Sequence, residues 1–341
     1  MDAQFRPHRW LGGPHAQTLA GKFLRRPPEL ALRRRRMETD DGDFIDLEWG
    51  PRPTERSPVV VVLHGLEGNA RRPYVRNAYR ALVARGIQPV GMNFRGCSGE
   101  PNRLARAYHS GETDDLRAVL GVVREAWPGR PVGLLGFSLG GNVALKLLGE
   151  LGSAEKARET GASEGPGAPA AACAISVPFD LSAGADALEA DGMGRLYSLY
   201  FLRSLRRKLE EKRQLLSSEI DLPAAFAART IREFDDRVTA RLHGFDGAED
   251  YYARSSSLGF LHRIRVPTLL VQAWDDPFLP RTAIEAAAAV SNAALSRSFT
   301  ERGGHVGFLS DGPRGPERFW AEERAADFLA RRLVTSPGRP S

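Results

Sequence analysis

The sequence predicts an α/β protein built on a mostly parallel, doubly wound sheet, and three observations lead there. Short, unbroken aliphatic runs alternate with amphipathic stretches at helical spacing, the pattern of parallel strands joined by crossover helices. One of these runs starts at Pro131-Val132 and ends abruptly in Gly136-Phe137-Ser138-Leu139-Gly140. A segment with Val143, Ala144, Leu147, Leu148 and Leu151 on one face follows at once, so a strand turns into a helix through a single serine. Finally, 341 residues of 42% hydrophobic content can bury a full core, as one large domain or a domain plus an insertion.

Composition also excludes several classes. The longest aliphatic run, Val59 to Leu63, is far too short to span a bilayer. The start, Met1-Asp2-Ala3-Gln4-Phe5-Arg6, lacks the apolar core of a signal peptide. Two cysteines, Cys97 and Cys173, imply no disulfide framework, so a cytoplasmic location is expected. The net charge of +6 comes almost entirely from arginine, since lysine stands only at Lys22, Lys146, Lys156, Lys208 and Lys212. Interleaved Asp and Glu argue against a nucleic-acid partner.

Taken in order, residues 1–28 contain Trp10 and Gly12-Gly13-Pro14-His15-Ala16-Gln17-Thr18-Leu19, too rich in Gly and Pro for a long helix. Leu30 to Met37 and Phe44 to Trp49 flank Asp40-Asp41-Gly42-Asp43 and read as a β-hairpin. Arg33-Arg34-Arg35-Arg36 in its first strand reads as charge on an exposed sheet edge. Val59 to Leu63 is a buried parallel strand, running into His64-Gly65-Leu66-Glu67-Gly68-Asn69. A helix is expected from about Tyr74 to Arg85, a strand from Ile87 to Phe94, and a helix ending near Trp127.

Gly152 to Pro169, rich in Gly, Ala, Ser and Pro, reads as a flexible surface insertion (152–169). Ala171 to Val177 resumes the core, with Cys173 as plain packing. From Pro178 to Ile264 the alternation lapses into charged helical sequence. There Leu196, Leu199, Tyr200, Leu202, Leu205 and Leu209 form a stripe with Arg203, Arg206, Arg207, Lys208 and Lys212 between them. It reads first as an amphipathic helix with a solvated face and only second as a membrane contact. The expected organisation is a core of 1–177 and 265–341 with an inserted helical lid, 178–264. Thr268–Gln272, a helix near Thr282–Val290, the strand Leu295–Thr300 and a helix near Pro316–Leu333 complete the core.

Function is read from the serine. A serine at such an elbow projects its hydroxyl out of the sheet, towards the amides and positive dipole end of the next helix. It needs a base, and the base an orienting carboxylate, expected in the order acid then histidine in loops after later strands. Trp274-Asp275-Asp276-Pro277-Phe278 follows one such strand and Gly303-Gly304-His305-Val306-Gly307 the last. Asp275 and Asp276 are both open as the acid on this reading. The oxyanion donors would be the amide of Leu139, directly after the nucleophile, and that of Leu66 in the loop after Val59–Leu63. His64 has no second histidine at ligand spacing, so a structural role and no metal are expected.

These motifs, with Asn93-Phe94-Arg95-Gly96-Cys97-Ser98-Gly99-Glu100 and Tyr108-His109-Ser110-Gly111-Glu112, resemble the YheT-like (AB-hydrolase-4) branch of the α/β-hydrolase superfamily, which includes abhydrolase-domain proteins 1 and 3. The resemblance spans nearly the whole chain. It implies the α/β-hydrolase fold and a serine carboxylesterase or lipase-like activity on acyl esters, without a cofactor. It places the triad at Ser138, Asp276 and His305. Pro280, four residues on, and Pro277, which biases Asp276 towards extended backbone, also select Asp276. Pro14-His15-Ala16 departs from the pattern expected before Gln-Thr, and the Gly152–Pro169 stretch is extra. The expected partner is a small-molecule acyl ester, in a pocket roofed by the lid with Leu199 and Tyr200 against the acyl chain. An acyltransferase or thioesterase on the same triad, or a non-catalytic binding protein, are the alternatives.

Overall fold

A computed structural model of the chain describes residues 5–26, 28–153, 168–311 and 318–334. Eight strands form one sheet: β1 (Arg33–Glu38), β2 (Phe44–Trp49), β3 (Val59–Leu63), β4 (Gln88–Met92), β5 (Val132–Phe137), β6 (Ala171–Ile175), β7 (Thr268–Ala273) and β8 (Leu295–Thr300). Their order is β1-β2-β4-β3-β5-β6-β7-β8. The hairpin β1–β2 and the pair β2–β4 are antiparallel, and all other neighbours are parallel.

Unbroken apolar runs make the inner strands because both sheet faces are covered. Val59, Val61 and Leu63 join one core cluster, while Val60 and Val62 join the cluster on the other face. The first face is covered by α3 (Asp114–Ala126) and α4 (Leu139–Leu151), the second by α2 (Pro73–Val83) and the helix Trp320–Leu333. Trp127 falls just past α3, α2 starts one residue before Tyr74 and stops two before Arg85, and β4 is shorter than expected by one residue at its start and two at its end. β1 is an edge strand, as its arginines suggested. Arg36 grips Asp46 of β2 with two hydrogen bonds of 2.8 and 2.9 Å, and Arg34 reaches Glu48 at 2.8 Å.

The stretch expected to lack a long helix contains a ten-residue one, α1 (Pro14–Phe23). Pro14 occupies its first turn, where the missing N–H costs nothing and the fixed φ suits the helix. The two glycines fall outside it. Of the Gly152–Pro169 stretch, residues 154–167 lie outside the described residues.

Between β6 and β7 the chain forms a run of helices with a hydrophobic cluster of its own around Leu202, Leu209, Leu222, Ile231 and Phe234. The first two are α5 (Leu181–Ala190) and α6 (Gly192–Glu211), each begun by an aspartate, Asp180 or Asp191, that accepts a hydrogen bond from the third residue on,.

The stripe on α6 does not face one way. Leu202 and Leu209 are buried, but Leu196, Leu199 and Tyr200 are 57%, 54% and 44% exposed. The expectation that Leu199 and Tyr200 line an acyl pocket is therefore wrong. The helix is packed on one side, and these residues belong to the other. No helix among the described residues is long and apolar enough to cross a membrane.

The strand order fixes where a site can form. From β3 the chain builds β4 on one side and β5 on the other, so the crossovers diverge and leave a crevice at the carboxyl ends of β3 and β5. Leu63 pairs with Gly136 in register there, which brings His64-Gly65-Leu66 alongside Ser138.

Candidate active site

Ser138 stands between β5 and α4 with φ 51° and ψ −122°, a backbone conformation that costs of order 1–3 kcal/mol outside glycine. Its neighbours explain how the turn fits. A Cβ on Gly136 would lie 2.4 Å from the Gly140 carbonyl oxygen, and one on Gly140 would lie 2.6 Å from that of His64. Only two bare backbones let the strand and helix approach this closely.

The two loops named from the sequence meet the serine. His305 Nε2 lies 2.9 Å from Ser138 Oγ, and its Nδ1 lies 2.9 and 3.1 Å from the two Asp276 carboxylate oxygens. With Nδ1–H donated to the carboxylate, Nε2 is left to accept the serine proton. The Asp276 side chain is 1% exposed and also accepts hydrogen bonds from Gln272 Nε2 and the Phe278 amide. The Phe278 ring stacks on the imidazole, with centroids 4.2 Å apart and planes 20° apart. Asp275 acts elsewhere. Its Oδ1 accepts the Gly304 amide at 2.9 Å, tying the acid loop to the histidine loop. Burial raises its pKa above the ordinary aspartate value.

Support for the histidine loop comes from residues that sequence reasoning passed over. Thr18 Oγ1 of α1 accepts the His305 amide at 2.9 Å, and Ser176 Oγ accepts that of Val306. Gln17 exchanges bonds with both the amide and carbonyl of Leu309. Buried Arg25 donates to the carbonyls of Val306 and Gly307 and pairs with Glu322. Gln17 and Thr18 sat in the glycine-rich N-terminal motif. Arg25 had no signal.

The loop after β3 carries two amides already used and one left over. The Gly65 amide donates to Tyr74 Oη, and the Glu67 amide to Tyr108 Oη. The Leu66 amide between them has no hydrogen-bond partner among the described residues. Leu139 is the first residue of α4, where the N–H has no intrahelical acceptor. Both leucines line the same cavity, of about 170 Å³, as Ser138 and His305. His64 is fully buried, which pushes its imidazole down to about 4. Its Nε2 accepts the Phe94 amide, so Nδ1–H donates to the Gly65 carbonyl at 2.8 Å. It braces the loop and is not placed as a metal ligand.

Among the described residues, His109, Glu112 and His243 have donor atoms close enough to share a metal ion. Arg106 Nη2 donates to Glu112 Oε2 at 2.5 Å, so a guanidinium already holds the carboxylate that a metal would need.

Known proteins match this chain along most of its length. The model of the alpha/beta hydrolase fold matches residues 58–311. YheT of Escherichia coli (strain K12), named as a candidate esterase, is 39% identical over 96% of this chain and 93% of its own. Mouse phospholipase ABHD3 is 30% identical over 89% of this chain and 72% of its own. A Saccharomyces cerevisiae monoacylglycerol lipase is 31% identical over 79% of this chain and 58% of its own. Among solved structures, the Pyrococcus furiosus esterase Pf2001 superposes with a TM-score of 0.56, covering 98% of this chain and 100% of its own, at 16% identity. The last likeness speaks for the fold alone. With its sheet order, its serine elbow and these relatives, the chain belongs to the YheT-like branch of the α/β-hydrolase fold family.

Proposed function

We propose that this ester hydrolase cleaves carboxylic esters through an acyl-enzyme, with Ser138 as nucleophile, His305 as base and Asp276 as the carboxylate that orients it. The observation that carries the reading is the continuous hydrogen-bonded line from Asp276 through His305 to Ser138 Oγ. A serine hydroxyl is a weak nucleophile near neutral pH and gains from losing its proton to an adjacent imidazole as it attacks. His305 Nε2 would take that proton, and buried Asp276 would stabilise the imidazolium. The Leu66 and Leu139 amides would then hold the negative oxygen of the tetrahedral intermediate, and oriented donors of this kind need no reorganisation during reaction. The proton on Nε2 would pass to the departing alcohol, and a water activated by His305 would release the acid.

The cavity favours an apolar acyl group. Phe201, Leu205, Leu209, Ile231, Phe234 and Val238 line it, and relatives named as phospholipase and monoacylglycerol lipase fit the same substrate class. The deciding experiment is labelling of folded protein with a fluorophosphonate, followed by peptide mass spectrometry, beside a p-nitrophenyl ester series. An adduct on Ser138, with turnover lost in Ser138→Ala, is expected. A folded protein that takes no adduct at Ser138 would point to a binding module instead.

A further inference from the structure

Behind the Leu66 amide lies a buried charge that the ester mechanism leaves unused. Glu67 takes φ 53°, a left-handed conformation that is rare and strained for a residue with a Cβ. Its carboxylate is 2% exposed, and three side chains converge on it. Tyr108 Oη donates to Oε1 at 2.8 Å, Lys208 Nζ to Oε1 at 2.8 Å, and Ser204 Oγ to Oε2 at 2.5 Å. Tyr108 closes a ring, since the same hydroxyl accepts the Glu67 amide at 2.9 Å. Lys208 has a second contact, 3.0 Å to Cys97 Sγ. Burial alone would raise the Glu67 pKa, but Lys208, Ser204 and Tyr108 outweigh it and hold the group below the ordinary value.

Two of the three donors come from α6. That helix belongs to the block between β6 and β7, not to the sheet, and its Phe201, Leu205 and Leu209 wall the cavity that holds Ser138 and His305. Lys208 and Glu67 lie 141 residues apart in sequence. An ion pair buried to this degree stabilises little by itself, because desolvation offsets most of the attraction. What it does well is fix geometry: a carboxylate hydrogen-bonded at both oxygens cannot rotate freely, and it sits one residue from Leu66.

We propose that Lys208, with Ser204, is a positioning residue: by holding the Glu67 carboxylate, α6 sets the direction of the Leu66 amide, so the oxyanion site is complete only while this helix is docked. The inference rests on the proposed serine mechanism, in which Leu66 is a donor. Lys208 touches no reacting atom in it. Its effect reaches the transition state through the backbone of the loop.

The test compares wild type, Lys208→Met, Lys208→Arg, Ser204→Ala and the double variant Lys208→Met/Glu67→Gln on p-nitrophenyl butyrate. Loss of one oxyanion donor costs about 10²–10³ in kcat, so a misdirected donor in Lys208→Met should cost roughly 10–100-fold, with KM within about threefold. Affinity for a trifluoromethyl ketone, whose adduct places an anionic oxygen in the hole, should fall by the same factor. Inhibition by 1-decanol, which fills the pocket without an oxyanion, should not change. Lys208→Arg should recover part of kcat, and the double variant should be no slower than Lys208→Met, since both lose one linkage. Unchanged kcat in folded Lys208→Met would overturn the proposal, as would parallel losses for ketone and decanol, which mean a damaged pocket wall. If Lys208→Met does not fold, Ser204→Ala decides: a few-fold kcat loss with unchanged decanol inhibition supports the proposal, and no loss overturns it. Wild type without turnover would instead sink the serine mechanism itself, so the two failures read differently.

Discussion

The two walls of the cavity are held by different forces. Its floor is made of strand ends and tight loops, in which Glu67, Ser138, Ser176 and Val306 all have positive φ and each is fixed by hydrogen bonds to or from the backbone. Its roof is a set of helices packed through side chains around Leu202, Leu209 and Phe234 and started by Asp180, Asp191, Asp221 and Thr230. A floor fixed by backbone conformation cannot yield gradually. A roof fixed by side-chain packing can be reshaped one residue at a time. Substitutions in the floor should therefore act on the rate of the chemical step, and those of the apolar residues lining the roof on which ester is preferred, whereas the Lys208 and Ser204 contacts to Glu67 tie one roof helix to the floor.

The sharpest test of the floor is Ser138→Ala. It removes only a hydroxyl from a position already committed to its backbone geometry, so the protein should fold with an unchanged thermal midpoint. Ester turnover should fall by about 10⁴-fold or more, the scale seen when a triad nucleophile is removed. Wild-type-like turnover in a clean preparation would end the mechanism. Next in size is Asp276→Asn. The amide can keep one contact with Gln272 or Phe278 but offers His305 no charge, and a comparable change in a serine protease costs about 10⁴ in kcat. A loss of about 10³–10⁴ at saturating short-chain ester is expected.

Asp275 separates orientation of the histidine from support of its loop. The sequence selected Asp276 over Asp275 as the acid facing His305, and a capping or solvent-facing role was expected for Asp275. In the fold Asp275 accepts the Gly304 amide. An asparagine retains that acceptor, so Asp275→Asn should cost about threefold or less in kcat, whereas Asp275→Ala removes it and should cost about fivefold, since a lost hydrogen bond of this kind is worth about 1 kcal/mol. If Asp275→Asn proves the crippled variant while Asp276→Asn stays active, the two acids have exchanged roles.

Most of the floor was legible because its signals are local. Glycines around Ser138 and before His305, each after a strand, mark turns that few other residues could make. The sheet was legible for the same reason, since Val59–Leu63 can be buried on both faces only inside a covered sheet. What was hidden depends on contacts between distant segments. Thr18 meets His305 across 287 residues and Arg25 meets Glu322 across 297, and no spacing rule relates such positions. The helix α1 was hidden by its own starting signal, because Pro14 after two glycines reads as a breaker until it is seen at the first turn. On α6 the period was right and the face was wrong: a stripe of leucines says that a helix is amphipathic, not which side the rest of the molecule covers.

That error sets the smallest and most discriminating expectation. Phe201 and Leu205 line the cavity. Leu199 points away from it at 54% exposed, beside Tyr200, whose ring instead carries Lys22 Nζ 3.4 Å from its centroid. Shortening Phe201 or Leu205 to alanine should enlarge the space for an acyl chain. A buried methylene is worth about 0.8 kcal/mol, so the ratio of kcat/KM for dodecanoyl over butyryl ester should rise about three- to tenfold in each variant, with kcat on the butyryl ester nearly unchanged. Leu199→Ala removes side-chain atoms that already face water. It should leave that ratio within about 1.5-fold and shift stability by no more than about 0.5 kcal/mol. Measuring all three variants on the same two esters compares the inner and outer faces of one helix directly. A shift for Leu199→Ala as large as for Phe201→Ala would mean that α6 turns its other face to the substrate during turnover, and that the docked arrangement is not the one in which esters are chosen.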